Sequence, residues 1–298
     1  MRVAIIINPD AGVHRSGAVA ARQALAHDVL RTTGMDGQVV VSEGRGRGRE
    51  VTRAMVEEGF DTFVVWGGDG TINEVASQLV PHGIPLGIVP AGSGNGLARE
   101  LGLDWNPRRA LDTALRGRVR RIDAGELAGH LFFNVAGIGL DAKLALAFDA
   151  RKQRGLRGYA ASLLHELWAY NPGCYTVTTD GSTTDGLAIN RKALLIALAN
   201  TRQYGNRAVI APLAKPDDGL LELVVVPPLS PVLTLWHASR LFTRTVHRLP
   251  GAVMHSVRGG RIAGDGPLTF HVDGEVVVGP STLSVRVHPG VLAVRVPT

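Results

Sequence analysis

The run Val64-Val65-Trp66-Gly67-Gly68-Asp69-Gly70-Thr71-Ile72-Asn73-Glu74-Val75 decides how this chain is read. Thr62 to Trp66 is an apolar, β-prone stretch that enters Gly-Gly-Asp-Gly and then a helical pattern. The glycines allow positive φ and let a ligand approach the backbone closely. Thr71-Ile72-Asn73-Glu74 has the form of a capping box. Ile72, Val75, Ala76, Leu79 and Val80 recur at helical spacing, which predicts a helix over 71–80. The product is a helix N-terminus with free N–H groups at the carboxyl end of a strand, a place suited to phosphate.

The alternation of strand and helix extends to both sides. Val3–Ile7, Gln38–Val41 and Pro85–Val89 read as strands, and about Ser16–Arg31, Glu50–Glu58 and Leu97–Leu101 as helices. Strands apolar on both faces and alternating with helices imply an α/β domain with a parallel sheet covered on both sides. Ligands of such sheets sit beyond the carboxyl ends of the strands. Three of those ends carry unusual loops: Asn8-Pro9-Asp10-Ala11-Gly12, Gly67–Thr71 and Ala91-Gly92-Ser93-Gly94-Asn95-Gly96. One glycine-rich loop reads equally well as a tight turn. Two on neighbouring strand ends can converge on one polyphosphate, with Thr71, Ser93 and Asn95 adding polar side chains. Asp69 is out of place among anion-binding groups unless a divalent cation bridges it to the phosphates.

The texture changes near residue 120. Arg120–Leu127 and Leu131–Gly137 read as a hairpin across Ala128-Gly129-His130. Short strands follow at 174–180, 192–199, 206–211, 220–226, 268–272, 275–278, 283–288 and 291–296, with helices at about 156–170 and 231–247. Turn signals at Asp180-Gly181, Asp218-Gly219, Asp273-Gly274 and Pro289-Gly290 separate strands, as in a β-rich sandwich or open barrel. The division is residues 1–124 and 125–298, with the last strand, about 290–298, free to return to the first domain.

Composition narrows the function classes. The 298 residues are 45% hydrophobic and 19% charged, with a formal charge of +6. A basic balance suits nucleotides, nucleic acid or an anionic membrane. The arginines at Arg45–Arg49 and Arg116–Arg121 have no interleaved aromatic residues, which argues against specific nucleic-acid binding. The single cysteine, Cys174, excludes an internal disulfide, fits a reducing compartment and reads as a small buried filler. The N-terminal apolar run is too short for a signal peptide, and no stretch reaches the ~18 residues that span a bilayer. The expectation is a soluble, cytoplasmic protein with access to the inner membrane face. Leu156, Tyr159, Leu163 and Leu167 form a helical stripe, preceded by Arg151, Lys152, Arg154 and Arg157. Packing on the sheet explains the stripe; a groove for acyl chains shared with Leu233–Phe242, beside a membrane-facing basic cluster, is the sharper reading.

The motifs also occur in a familiar order: Asn8-Pro9-Asp10-Ala11-Gly12, Gly67–Val75, Pro90–Arg99, Asn134–Asp141, Pro216–Leu221 and Val272-Asp273-Gly274-Glu275. In this the chain resembles the diacylglycerol kinase catalytic-domain family of soluble bacterial lipid kinases, related to sphingosine and ceramide kinases, over almost its whole length. The resemblance implies an N-terminal fold like that of NAD kinase and phosphofructokinase, a β-rich C-terminal domain, and ATP bound in the cleft between them. It implies that Asn8, Pro9, Asp10, Ala11 and Gly12 line the nucleotide site and that Ser42 stands near it. Gly67, Gly68, Asp69, Gly70, Thr71, Ile72 and Asn73 would cradle the phosphates, with Ser93 contacting them. Asp273 matches the family's general base, and a Mg²⁺ would fall at the Asp218 side chain and the carbonyls of Lys215 and Leu220. From position alone, Asp273-Gly274 reads as a hairpin turn and Asp217-Asp218-Gly219 as another. The expectation is an ATP- and Mg²⁺-dependent kinase acting on a lipid alcohol such as diacylglycerol, peripheral on an anionic membrane, with a homodimer compatible with the family. The alternatives are an NAD kinase and an inactive nucleotide-binding protein that docks on membranes.

Overall fold

The first strand, β1 (Arg2–Ile7), is buried from Val3 to Ile7. Residues apolar on both sides of a pleat need cover on both faces. The computed structural model describes residues 2–12, 17–44, 46–92, 94–150, 167–180 and 186–298. They fall into two compact units, Met1–Asp123 with Gly290–Thr298, and Ala124–Pro289.

In the first unit β1 is followed by α1 (Ala18–Thr33), β2 (Asp36–Val41), α2 (Arg47–Glu57), β3 (Thr62–Gly67), α3 (Asp69–Leu79), β4 (Leu86–Pro90), α4 (Gly96–Glu100) and α5 (Pro107–Arg116). The strands lie parallel in the order β2-β1-β3-β4. One face packs Val3, Ile5, Val64 and Val89 against Leu30 of α1 and Leu111 of α5. On the other, Ala4, Ile6, Phe63 and Val65 are as fully buried, as are Ile72, Val75 and Leu79 of α3. The last part of the chain returns here, with Val294 parallel to and opposite Leu86.

The second unit holds the end of β5 (Arg118–Leu127), β6 (His130–Phe132), β7 (Val135–Gly139), α6 (Leu140–Ala150), β8 (Gly173–Thr179), β9 (Ala188–Ala193), β10 (Leu195–Ala199), β11 (Gln203–Gly205), β12 (Ala208–Val209) and β13 (Leu221–Val226). Then come α7 (Pro231–Phe242), β14 (Val253–Val257), β15 (Gly259–Gly264), β16 (Thr269–Val272), β17 (Glu275–Val278) and the first part of β18 (Thr282–Val296). One antiparallel sheet has the order β14-β13-β10-β7-β16-β17. Within the unit, β18, β15, β8 and β9 form a second antiparallel set. Ile138, Ile196, Leu223 and Phe270 of the first pack on Val177, Ile262 and Leu283 of the second, as in a sandwich. The outer face of the first sheet carries another core, in which Ala197 and Val224 meet Leu140, Leu167 and Val246.

The α/β fold with a β-sandwich partner follows the sequence, and the departures from it are local. The capping box does not form: α3 starts at Asp69, and the Thr71 hydroxyl accepts the Asn8 side-chain amide at 2.6 Å. Glu74 instead accepts the N–H groups of Gly46 and Gly48 at 2.9 and 3.0 Å. That carboxylate at its N-terminus lets α2 begin at Arg47, ahead of the expected Glu50. The expected strand Leu131–Gly137 breaks after Phe132 into β6 and β7, which belong to different sheets. Residues 192–199 likewise divide into β9 and β10. The turn expected at Pro289-Gly290 is instead interior to the single strand β18, where Gly290 N–H donates to Asp123 at 2.7 Å. Sequence periodicity did not reveal α6, β14 or β15. Cys174 is half-buried, not a core filler. The stripe at 156–166, the basic cluster from Arg151 to Arg157, Arg45, Ser16 and Ser93 lie outside the described residues. Among the described residues no helix is long and apolar enough to cross a membrane.

Candidate active site

Three loops meet at the carboxyl ends of β1, β3 and β4. The Asn8 amide donates to the Trp66 carbonyl and the Ala91 amide to the Gly67 carbonyl, both at 3.0 Å, so both outer loops are tied to the end of β3. The Asn8 side chain then reaches Thr71 on α3. Gly68 and Gly92 touch backbone to backbone: a Cβ on Gly92 would stand 2.7 Å from the Gly68 Cα. A side chain there would force the loops apart, which is the physical reason for glycine at 92; at Gly68 the matching distance is a tight 3.3 Å. Asp10 N–H closes a turn on the Asn8 carboxamide at 2.8 Å, and Gly12 lies against the Ala91 carbonyl. Pro9 and Ala11 complete that loop.

The N-terminus of α3 faces this junction. Ile72 N–H is the first to find a helical carbonyl, that of Gly68 at 2.9 Å. The amides of Gly70 and Thr71 precede it and have no intrahelical acceptor. Ile72 and Asn73 point their side chains inward, both nearly inaccessible, so they build the helix and not the surface of the site. Ser42 is buried at the end of β2, its N–H bonded to the Ile7 carbonyl at 2.9 Å.

Asp69 departs from its expected role. Its carboxylate accepts Gly96 N–H at 2.9 Å and Leu97 N–H at 3.3 Å. It therefore caps α4, and the second glycine-rich loop is stapled to the first. No bridging cation is needed to explain an acid at this position. The loop is further closed by Asn95, wholly buried, which exchanges hydrogen bonds with Gly92. A residue that sequence reasoning missed is Arg22 of α1, whose guanidinium donates to the Asn8 and Ala11 carbonyls at 3.1 and 2.7 Å. Partial burial lowers its pKa from the ordinary value. It fixes the first loop and leaves positive charge beside it.

In the second unit Asp273 sits at the β16–β17 turn, buried, with φ of 49°. Its carboxylate accepts three backbone N–H groups: Phe133 at 2.8 Å, Asn134 at 2.9 Å and Val135 at 3.0 Å. These are the residues where the expected strand breaks. The fan of amides accounts for the break, because residues facing a carboxylate cannot keep a sheet ladder. The Asn200 amide holds the Phe133 carbonyl at 3.0 Å, and Thr201 donates to the Asn134 side chain.

Two residues earlier, His271 Nε2 lies 2.8 Å from Asp141 Oδ2, with both groups largely buried. The Gly274 N–H stands 3.4 Å from Nδ1, at the long limit of hydrogen bonding, so the 2.8 Å approach to the Asp141 carboxylate is the close polar contact of this ring. Burial lowers the His271 pKa, but the Asp141 charge and hydrogen bond, with the Asp273 charge behind them, turn the net shift upward. Gly137 leaves room for this pair, since a Cβ there would strike the Asp141 carboxylate. The motif around Asp141 was legible, but nothing in sequence spacing linked it to His271.

At the expected metal position, Asp218 Oδ1 accepts Leu220 N–H at 3.1 Å, an ordinary turn bond. Lys215 and Asp218 are exposed. Among the described residues no group of three His, Cys, Asp or Glu side chains could hold a metal ion. One carboxylate and backbone carbonyls are hard-oxygen donors of the kind Mg²⁺ accepts.

The fold agrees with comparisons to known proteins. Residues 2–127 match the diacylglycerol kinase catalytic domain, and residues 134–296 match the YegS C-terminal NAD kinase beta sandwich-like domain. The chain belongs to this family of lipid kinases. It is 38% identical over 204 residues to the "Probable lipid kinase YegS-like" protein of Chromohalobacter salexigens, covering 66% of this chain and 64% of that one, just under two thirds of its length. It is 33% identical over 231 residues to a diacylglycerol kinase of Mycobacterium tuberculosis, covering 75% of this chain and 72% of that one. A crystal structure of a diacylglycerol kinase from Bacillus anthracis has the same fold, with a TM-score of 0.72 at 18% identity, over 99% of this chain and 96% of that one.

Proposed function

We propose that the protein is an ATP-dependent lipid kinase that transfers the γ-phosphate to a lipid hydroxyl, with diacylglycerol or a close relative as acceptor. The observation that carries this reading is the convergence of three strand-end loops on the open N-terminus of α3. Backbone amides of Gly68, Gly70 and Thr71, the positive end of α3 and the Arg22 charge suit a triphosphate. Asn8 to Gly12 and Ser42 line the nucleotide in this account, Asn73 and Ile72 hold the helix beneath it, and Ser93 adds a hydroxyl.

Asp273 receives the acceptor's proton. Three amide donors hold its carboxylate in one place. Phosphoryl transfer, with its loose transition state, asks more of position than of a strong base. A Mg²⁺ bound with the nucleotide would neutralise charge on the transferring phosphate. A second, structural Mg²⁺ at Asp218 with the Lys215 and Leu220 carbonyls is part of the same reading, and added Mg²⁺ without nucleotide should raise the melting temperature if it binds there. The acceptor reaches the protein at the inner face of an anionic membrane.

The test is radiolabelled ATP with a panel of lipids in mixed micelles, run beside Asp273→Asn. We expect one lipid class to be phosphorylated and the variant to lose most turnover while ATP still raises its melting temperature. Because the variant places an amide against three N–H donors, circular dichroism should accompany the assay. A folded Asp273→Asn protein with wild-type turnover overturns the assignment of the base. Conversion of NAD to NADP in place of lipid phosphorylation overturns the substrate class.

A further inference from the structure

The helix α7 is built like a normal surface helix at its start and unlike one on its outer face. Ser230 caps it by accepting Leu233 N–H, and Pro231 occupies the first turn. None of its twelve residues is buried. Its inner side touches the core beneath the outer sheet face through Leu241. Its outward side should then be polar, by the ordinary pattern of an amphipathic helix. It is apolar instead: Val232 is 64% exposed, Trp236 69% and Phe242 63%. Val232 and Trp236 are four residues apart, on one ridge, with Leu235 and Phe242 along its flank. Clustered exposed apolar groups of this size mark an interaction surface.

Charge identifies the occupant. Residues 223–264 contain no Asp or Glu and carry five arginines. Arg244 and Arg248 are exposed immediately beyond the C-terminus of α7. Among the described residues neither has an acidic partner. An apolar ridge ending in unpaired arginines is complementary to a surface that is oily within and anionic at its edge. A second copy of this chain fits less well, because its own α7 segment, with no Asp or Glu from 223 to 264, offers Arg244 and Arg248 no acidic group.

We propose that α7, with Arg244 and Arg248, is the surface on which this protein docks to an anionic bilayer, Trp236 and Phe242 entering the boundary between headgroups and acyl chains. The proposal deepens the lipid-kinase reading by placing the contact through which the enzyme meets a membrane-borne acceptor. Aromatic residues favour that boundary, and the basic groups read the headgroup charge.

The experiment is co-sedimentation of the full chain, without nucleotide, with vesicles of phosphatidylcholine alone or mixed with phosphatidylglycerol. We expect binding to the mixed vesicles, weakened by salt, and little to the neutral ones. Trp236→Ser/Phe242→Ser and Arg244→Gln/Arg248→Gln should each weaken it by about tenfold or more, the second also reducing the salt dependence. All four positions are exposed, so the variants should keep the wild-type melting temperature. Wild-type binding by both variants overturns the proposal, as does equal binding to neutral vesicles. A concentration-dependent dimer abolished by the aromatic variant also overturns it, in favour of self-association. Phosphorylation of a water-soluble short-chain diacylglycerol separates the two readings. If docking alone fails, that activity survives; if the kinase reading fails, vesicle binding survives without it.

Discussion

Asp69 stands among groups that attract anions, yet the first amides of α4 take up its carboxylate. Its charge is thus spent on tying the two glycine-rich loops together. Asp69→Ala should cost about 1–2 kcal/mol, as lost helix caps do, and should abolish the rise in melting temperature on adding ATP. Asp69→Asn, which keeps one acceptor oxygen, should recover part of both; unchanged ATP stabilisation in Asp69→Ala would leave the staple without a functional role. His271 offers a second test. Its pKa is raised above 6.5 because Asp141, and more distantly Asp273, outweigh burial. Folding therefore favours the imidazolium relative to the unfolded chain. Its contribution to stability is fully present below the unfolded value and is lost as pH rises through the folded one. The urea midpoint should fall as pH climbs above about 6.5. Asp141→Asn removes the charge that opposes burial, so that slope should flatten or reverse. Parallel slopes in the two proteins would show that the pair does not titrate as proposed.

At the scale of elements, the loops carry the argument because their glycines are needed for contact. Gly92→Ala places a methyl 2.7 Å from the Gly68 Cα, against backbone that cannot rotate away. The expected cost is about 1–3 kcal/mol, with loss of ATP binding, measured by thermal melting with and without nucleotide. The same contrast explains what could be read beforehand. A glycine-rich strand-to-helix turn is a local pattern, so the loops at Gly67 and Gly92 were visible in sequence. The partners that finish them were not. Asp69 meets α4 across 27 residues, and Asp273 meets Val135 across 138. Glu74 looked like its own helix's capping residue and instead serves α2. Residues with two plausible local uses cannot declare a distant one. Half-buried β14, Val-Met-His-Ser-Val, lacked the apolar alternation that reveals a strand, and α6 follows β7 at once, with the strand's own last residue, Gly139, as its only punctuation. On α7 the apolar pattern was legible, but only exposure showed that it points outward.

Across the whole molecule, the chain's last segment does work that its position conceals. Within the first unit Val294 continues the parallel sheet beyond β4, and Leu292, Val294 and Val296 are nearly inaccessible. The segment is also held by Gly290 N–H on Asp123, by Arg121 on the Gly290 carbonyl and by Arg295 on the Gly117 carbonyl. Burying each aliphatic side chain contributes about 1.5–3 kcal/mol. Three of them rival the whole stability of an ordinary domain, about 5–15 kcal/mol. A chain ending at Pro289 should therefore fail to assemble the α/β unit, even though every loop residue of its candidate nucleotide site is present. Amide hydrogen exchange would read this directly. Val64, Val65, Ile88 and Val89, in the middle of the sheet, should lose protection in the truncated chain, and ATP should no longer raise its melting temperature. Val294→Asp is the gentler version, placing a charge where the parallel ladder meets Leu86. It should lower the melting temperature by several degrees or more, because an unpaired buried carboxylate must protonate or drag water into the core. Retained protection of β3 and β4 in both variants would mean that the four N-terminal strands suffice, and that the returning segment is an ornament on a fold already complete.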